Sequence, residues 1–354
     1  MKQIDKELIR TVDTKNMWNL LTGFPHQFEE AIELFQKFEF SIPLDDIQNI
    51  VLCGMGGSAL GGDIVQACLR DELIYPFLVV RGYTLPKFIN DKSFVIISSY
   101  SGNTTETLAT YEAAKTRTSK ILCLTSGGEL EIRARHDNIP VLIVPNGRPP
   151  RTALGHLVMF LLQSFKRLGI IKDKWEDIEE TILLLEQSLS HYQRFDESEQ
   201  NQALSLAYEL LGKIPVIYGS ESTFEAVAFR WKTQLTENSK IIAYHNCFPE
   251  LCHNEYQGWD VGDIVAKHFY LIYLRDAGDD DRTKRQIHIV STALASRVGG
   301  YKEIWSKGKS ILARIMSLIY LGDFTSYYVS ILRNVDPTAI PAIAELKAKM
   351  TAGL

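Results

Sequence analysis

Two segments rich in small and hydroxyl-bearing residues each follow a short apolar run and precede a helical pattern. Residues 54–63 contain five glycines, and residues 98–106 read Ser-Ser-Tyr-Ser-Gly-Asn-Thr-Thr-Glu. Ser99, Ser101 and Thr104, together with the free N–H groups of a helix start, suit a phosphate monoester. No Gly-Lys-Ser/Thr follows, so neither loop is a Walker phosphate loop. The alternative for the second loop is simple helix capping, because Asn103 and Glu106 have capping-box spacing.

The glycine-rich segment has two further interpretations. Gly54-x-Gly56-x-x-Ala59 formally fits a dinucleotide fingerprint, for which Asp71 or Glu72 would be the acid that binds the ribose. The other interpretation is a tight turn that brings the helix and the strand close together, without a ligand.

Three more features could supply acid, base or charge. Arg151 follows two prolines near the start of a predicted helix. Taken alone, it is a surface arginine at a proline-rich turn, and the functional alternative is a cation beside a phosphate or an oxyanion. Glu237 lies at the predicted C-terminus of a helix, an unfavourable place for a carboxylate, so it is either a candidate general base or an ordinary solvated helix end. Residues 245–255 contain two His, two Cys and two Glu, but their spacing is not a recognised zinc pattern. We therefore favour one catalytic histidine over a metal site.

These residues require a scaffold, which the apolar pattern provides. Five apolar runs alternate with helical segments in the first half, which predicts a doubly wound parallel sheet. The runs are residues 50–53, 77–80, 94–97, 120–124 and 141–144. In such a sheet the first and second loops would lie at the carboxyl edge, where ligands bind.

A similar alternation restarts in the second half. Its predicted strands are residues 215–218, 239–243, 269–274 and 287–290. The domain prediction is a helical segment over 1–45, a first domain over 46–165, a helical connector over 166–205, and a second domain with C-terminal helices over 206–354. The two halves read as a repeat of one fold.

Composition narrows the class of protein. The chain has 354 residues, 38 Lys and Arg against 43 Asp and Glu, and 45% hydrophobic residues. The acidic balance without a basic tract argues against a nucleic-acid partner. We expect no transmembrane helix, no secretion signal and a cytoplasmic location, since five cysteines suit reduced thiols better than a disulfide framework.

Taken together, the motifs resemble the bifunctional phosphoglucose/phosphomannose isomerases of the sugar isomerase (SIS) superfamily over nearly the whole chain. They occur in the family's order at residues 54–59, 99–104, 149–151, 235–240 and 252–255. The resemblance implies an α/β fold with two SIS-type doubly wound domains, each a five-stranded parallel sheet flanked by helices. It also implies a homodimer that needs no metal or cofactor.

The resemblance further implies reversible conversion of glucose 6-phosphate and mannose 6-phosphate to fructose 6-phosphate through a cis-enediolate. Glu237 would be the base, Arg151 would stabilise the enediolate, and His253 from the neighbouring subunit would open the sugar ring. Lys347 of the last helix, or its neighbour Lys349, would assist ring opening. The phosphate would be held by the serine and threonine loop with the glycine turn: Ser58, Ser99, Ser101, Thr104, Gly56 and Gly57.

Two other functions remain open at this point. SIS domains also act as non-catalytic sugar-phosphate sensors, although this chain has no helix-turn-helix partner domain. Another SIS isomerase, acting on a different sugar phosphate, would also fit the two-domain length.

Overall fold

The computed structural model describes residues 4–195, 200–221, 223–260 and 262–352. Two compact units divide the chain. The first unit is Gly23–Ile182, and the second unit combines Met1–Thr22 with Leu183–Leu354. Helices of the segment predicted over 1–45 are therefore shared between the two units.

The secondary structure alternates between strands and helices in both units. The helices are α1 (Lys6–Val12), α2 (Met17–Thr22), α3 (His26–Gln36), α4 (Gly56–Cys68), α5 (Thr105–Lys115), α6 (Gly128–His136), α7 (Leu154–Arg167), α8 (Trp175–Tyr192), α9 (Gln202–Glu209), α10 (Glu225–Ser239), α11 (Glu255–Gly258), α12 (Asp263–Ala266), α13 (Asp281–Leu294), α14 (Ile311–Leu332) and α15 (Pro341–Ala352). Short 3-10 helices cover Pro150–Thr152 and Glu250–His253.

The strands are β1 (Asn49–Gly54), β2 (Phe77–Val80), β3 (Ser93–Ser99), β4 (Ile121–Thr125), β5 (Val141–Ile143), β6 (Ile214–Ser220), β7 (Tyr244–Phe248), β8 (Phe269–Arg275) and β9 (Tyr301–Trp305). They form two sheets, one in each unit.

The first sheet has the order β2-β1-β3-β4-β5, and all its pairs are parallel. Its central strands β3 and β4 are buried along their whole length, and β1 is buried at every residue except Asn49, as expected for a parallel sheet covered by helices on both faces. The five apolar runs predicted in the first half are all strands of this sheet, so this prediction is confirmed.

The second sheet has the order β7-β6-β8-β9 and is also parallel. Two parallel sheets flanked by helices confirm the α/β fold class, but the second sheet has four strands within the described residues, not five. Two of its predicted strands are wrong. Residues 287–290 belong to α13, and residues 239–243 precede β7 instead of forming it.

The sequence of α13 explains the first error. The Asp280 carboxylate caps the helix by accepting from the N–H groups of Arg282 (2.9 Å) and Thr283 (3.1 Å). Ile287 and Val290 are buried on one face of that helix, whereas Ile289 is 53% exposed. A short apolar run can belong to either a strand or a buried helix face, and here the helical spacing decides.

Helix α14 forms the core of the second unit. It is long and apolar enough to cross a membrane, yet its whole apolar window is buried inside the protein. Trp231 of α10 packs so closely against Gly322 of α14 that a Cβ there would lie 2.5 Å from the indole. Arg230 and Asp323 form an ion pair across the same contact, both 2% exposed. These contacts fix α10, the helix that carries Glu237, against α14.

Candidate active site

The two hydroxyl-bearing loops lie next to each other at the carboxyl edge of the first sheet. Strands β1 and β3 are neighbours, and Gly54 is the register partner of Ser98. The chain passes from β1 to β2 on one side and from β3 to β4 on the other. This is the switch point of the sheet, where open α/β folds bind ligands.

A hydrogen bond joins the two loops directly. The Ser58 hydroxyl oxygen accepts from the N–H of Tyr100 at 3.0 Å, and Ser58 is only 5% exposed. Ser101 Oγ accepts from the N–H of Asn103 at 3.3 Å. Thr104 Oγ1 accepts from Ser99 Oγ at 3.0 Å. Because Ser58, Ser101 and Thr104 act as acceptors here, each keeps its hydroxyl proton to donate to an anion.

The capping-box interpretation of the second loop is wrong. Asn103 Oδ1 accepts from the N–H of Glu129 in α6 at 3.0 Å and is thus engaged with another helix. Thr104 precedes α5 without a side-chain capping bond. Gly102 has φ of +69°, and a Cβ there would lie 1.8 Å from the Gly127 carbonyl oxygen. The loop is therefore shaped by its packing on the start of α6.

The dinucleotide interpretation of the glycine segment is also unsupported by the fold. Asp71 and Glu72 follow the C-terminus of α4, at the opposite end of that helix from the glycine turn. Glu72 Oε2 is paired with Lys174 Nζ at 2.5 Å. Neither acid is placed to bind a ribose beside the turn.

Arg151 reaches the same region as the glycine turn. It lies in the 3-10 helix Pro150–Thr152, directly before α7, and is 5% exposed. A Cβ on Gly57 would lie 3.3 Å from the Pro150 carbonyl oxygen and 3.5 Å from Arg151 Cα. The absence of a side chain at Gly57 therefore lets the two segments touch. Gly56, by contrast, has φ of +51° and open space around it.

Gln27 holds the segment that carries Arg151, a role that the sequence did not suggest. This α3 residue donates from Nε2 to the Thr152 carbonyl oxygen (2.7 Å) and accepts at Oε1 from the N–H of Gly155 (3.1 Å). The same oxygen lies 3.2 Å from Nδ1 of His156. Gln27 is 1% exposed. No local sequence motif predicts a contact between residues so far apart in the sequence.

His156 is buried on the other side of this contact. Its Nε2 lies 2.8 Å from Oε2 of Glu30, and its side chain has no exposed surface. Burial lowers the pKa of His156 to about 4, against the opposing effect of the Glu30 carboxylate. Gln27 therefore also contacts a histidine that resists protonation.

In the second unit, Glu237 lies in the last turn of α10, as predicted, and is half-buried. The end of this helix is fixed to α14: Asn238 Nδ2 donates to Ser326 Oγ (3.0 Å), and Ser239 Oγ donates to the Ser326 carbonyl oxygen (2.6 Å). Lys240 ends the helix in the left-handed region, with φ of +53°. The carboxylate is therefore on a rigidly held helix end.

His253 and Lys347 lie on other elements of the second unit. His253 ends the 3-10 helix that follows β7, and it is exposed. Lys347 is exposed on α15. Lys349, the alternative to Lys347, forms an ion pair with Glu345 on its own helix at 2.6 Å.

Glu237 and His253 lie at opposite edges of the second sheet. Helix α10 runs back from the carboxyl end of β6, so Glu237 is near the amino edge, whereas His253 follows the carboxyl end of β7. The five residues of β7 separate these edges by about 16 Å at 3.3 Å per residue.

The structure does not assemble a metal site from residues 245–255. Within the described ranges, no three His, Cys, Asp or Glu side chains are grouped to hold a metal ion. His245 lies on β7 with its ring centroid 5.2 Å from that of Phe229. Burial raises the pKa of the Cys247 thiol to about 11.

Comparison with known proteins first defines the class. Residues 199–350 match the family described as the bacterial phospho-glucose isomerase C-terminal SIS domain. The fold is similar to the C-terminal domain of glucosamine-fructose-6-phosphate aminotransferase from Francisella tularensis, with a TM-score of 0.66 and 17% identity, covering 92% of this chain and 97% of that one. The second unit therefore matches an SIS domain, and the whole chain has the fold of that aminotransferase domain.

Sequence relatives then define the family. The bifunctional phosphoglucose/phosphomannose isomerase of Caldicellulosiruptor bescii is 39% identical over 94% of this chain and 98% of its own length. The enzyme of the same name from Thermoplasma acidophilum is 34% identical over 92% of this chain and 98% of its own length. The chain belongs to the family of bifunctional phosphoglucose/phosphomannose isomerases.

Proposed function

We propose that this protein converts glucose 6-phosphate and mannose 6-phosphate reversibly to fructose 6-phosphate. The observation that carries the proposal, beside membership of the family, is the set of hydroxyls at the first switch point. Ser58, Ser101 and Thr104 all keep a proton to donate, as a phosphate requires. Backbone N–H groups at the start of α5 add to this donor set. The phosphate anchors a sugar whose carbonyl end then reacts.

Glu237 is the proposed proton carrier. Isomerisation moves a proton between C2 and C1 through a cis-enediolate, so one carboxylate can remove it from one carbon and return it to the other. The fixed end of α10 supports this role, because a base must be held within hydrogen-bond reach of the proton.

Arg151 is proposed to stabilise the enediolate. Negative charge develops on the oxygens at C1 and C2 during the transfer, and a guanidinium balances that charge without changing its own protonation state. Its burial and its packing on Gly57 support a preorganised position. A preorganised cation costs little reorganisation when the charge appears.

His253 is proposed to open the sugar ring, with Lys347 assisting. The separation of Glu237 and His253 across the second sheet supports contribution of His253 by a neighbouring subunit, and hence a homodimer. We also propose that the reaction needs no metal or cofactor and that the protein is cytoplasmic.

The proposal is tested by proton exchange at C2. Glucose 6-phosphate in D2O should gain deuterium at C2 with the unchanged protein. Glu237→Gln should lose this exchange while still binding the sugar phosphate. Glu225→Gln, which changes the first turn of the same helix, is the matched control and should behave as the unchanged protein. Full exchange in Glu237→Gln would contradict the base assignment.

A further inference from the structure

The loop that presents His253 is fastened to the second sheet through one carboxylate. His253 itself is exposed, and two residues later Glu255 begins α11. Glu255 turns its side chain back toward the sheet, where it meets side chains from β6 and β7. An exposed acid–base residue is thus followed closely by an anchored one.

Both carboxylate oxygens of Glu255 are engaged. Tyr218 of β6 donates its hydroxyl proton to Oε1, and Asn246 of β7 donates from Nδ2 to Oε2 at 2.6 Å. Tyr218 and Asn246 are register partners in adjacent parallel strands, so their side chains leave the same face of the sheet. The sheet therefore offers a matched pair of donors to one carboxylate.

The far end of α11 returns to the same tyrosine. Trp259, directly after α11, donates from Nε1 to the Tyr218 hydroxyl oxygen at 3.0 Å. Tyr218 is 1% exposed and Trp259 is 8% exposed. Helix α11 is too short to be stable by itself, and these bonds hold both of its ends.

The residues around His253 are also fixed. Asn254 Oδ1 accepts from the N–H of Glu255 at 2.5 Å, and its Nδ2 donates to Oε1 of Glu250 at 2.7 Å. Leu251 is completely buried. The backbone of His253 lies between a buried leucine and an anchored glutamate, which restricts where the imidazole can point.

We infer that Glu255 is a positioning residue for ring opening: its bonds to Tyr218 and Asn246 fix the backbone that carries His253. The inference rests on the proposed function. An acid–base group acts only when it is held within hydrogen-bond reach of the atom it protonates. Both oxygens of Glu255 already accept hydrogen bonds from protein donors. Glu255 therefore holds the loop in place, and His253 exchanges the proton with the sugar.

The test separates ring opening from proton transfer at C2. Opening and reclosing the ring interconverts the α and β anomers of glucose 6-phosphate, and this needs no proton transfer at C2. Anomer exchange, measured by exchange NMR, therefore reports the step assigned to His253 independently of Glu237. Glu237→Gln should keep anomer exchange while it loses isomerisation.

Glu255→Gln should lower the maximal rate of anomer exchange about tenfold or more. This is a part of the ~10²–10⁴-fold that acid–base catalysis supplies in full. Its KM should stay within about threefold of the unchanged value, because the phosphate loops are untouched. A glutamine has one accepting oxygen, so it cannot satisfy both the Tyr218 and Asn246 donors. Asn246→Leu removes one of the two bonds and should lower the same rate if Glu255→Gln fails to fold.

Glu209→Gln is the matched control, because Glu209 also accepts from a tyrosine hydroxyl, that of Tyr270, in the same unit. It should leave anomer exchange unchanged. Unchanged anomer exchange in both Glu255→Gln and Asn246→Leu would overturn the inference while leaving the proposed function intact. If the unchanged protein did not isomerise either sugar phosphate, the proposed function itself would be overturned.

Discussion

The hydroxyl of Ser58 offers the sharpest quantitative test of the phosphate loops. Ser58→Ala removes an acceptor from the Tyr100 N–H and, in the proposed complex, a donor to the phosphate. A hydrogen bond to a charged group contributes about 1.5–3 kcal/mol. At about 1.4 kcal/mol per tenfold change, the KM for glucose 6-phosphate should rise roughly 10- to 150-fold.

The turnover number should change little, since the phosphate contact is equally strong before and during proton transfer. Stability should also fall. The buried Tyr100 N–H is left without its acceptor, at a cost of about 1–3 kcal/mol. Steady-state kinetics and thermal unfolding of the same preparation measure both effects.

Ser93→Ala is the matched control. Ser93 lies at the other end of β3, is fully buried, and likewise accepts from a backbone N–H, that of Asn90, at 3.1 Å. This variant should lose stability without a change in KM. Equal KM values for Ser58→Ala and Ser93→Ala would refute the argument that the first-loop hydroxyl donates to the phosphate.

Two further predictions concern the contacts behind Arg151. Gln27→Met leaves the Thr152 carbonyl and the Gly155 N–H unpaired. Steady-state kinetics should then show a lower kcat, with the KM for glucose 6-phosphate nearly unchanged. An unaltered kcat would contradict the positioning of Arg151 by Gln27. Burial holds the pKa of His156 near 4, below the usual 6.5, so the unfolded chain binds more protons between these values. The free energy of unfolding should fall by about 3 kcal/mol as the pH drops from 6.5 to 4. His156→Gln should lose this pH dependence. If the unfolding midpoint of His156→Gln declined as steeply with falling pH as that of the unchanged protein, His156 would not be its source.

Much of the first unit could be predicted from the sequence, because each of its strands contains a continuous apolar run. Each run of a fully covered parallel sheet is apolar on both faces, and this signal is local. The switch-point loops follow from strand order, and their residue types indicate a phosphate. The position of Arg151 beside a helix start follows from the two prolines that precede it.

The second unit was harder to predict because its strands carry polar residues. β7 reads Tyr-His-Asn-Cys-Phe and β9 reads Tyr-Lys-Glu-Ile-Trp, so neither is a continuous apolar run. The short apolar run 241–243 led to the prediction of a strand over 239–243, although Ile242 is 64% exposed. Edge strands such as β7 and β9 bury less surface, which weakens the local signal.

The roles of the positioning residues could not be predicted from the sequence. Gln27 acts on Thr152, and Tyr218 acts on Glu255, through hydrogen bonds between residues distant in the chain. Such pairs depend on tertiary placement of whole elements and leave no local periodicity. A glutamine in an amphipathic helix and a glutamate at a helix start both read as ordinary surface residues until the fold is known.

Metal-independent isomerisation of two phosphohexoses can be measured in a coupled assay of the purified protein in excess chelator. Glucose 6-phosphate and mannose 6-phosphate are supplied separately, and formation of fructose 6-phosphate is followed. We expect turnover of both sugars, and loss of both activities in Glu237→Gln. Binding of fructose 6-phosphate without turnover of either aldose would contradict it and would indicate a sugar-phosphate sensor.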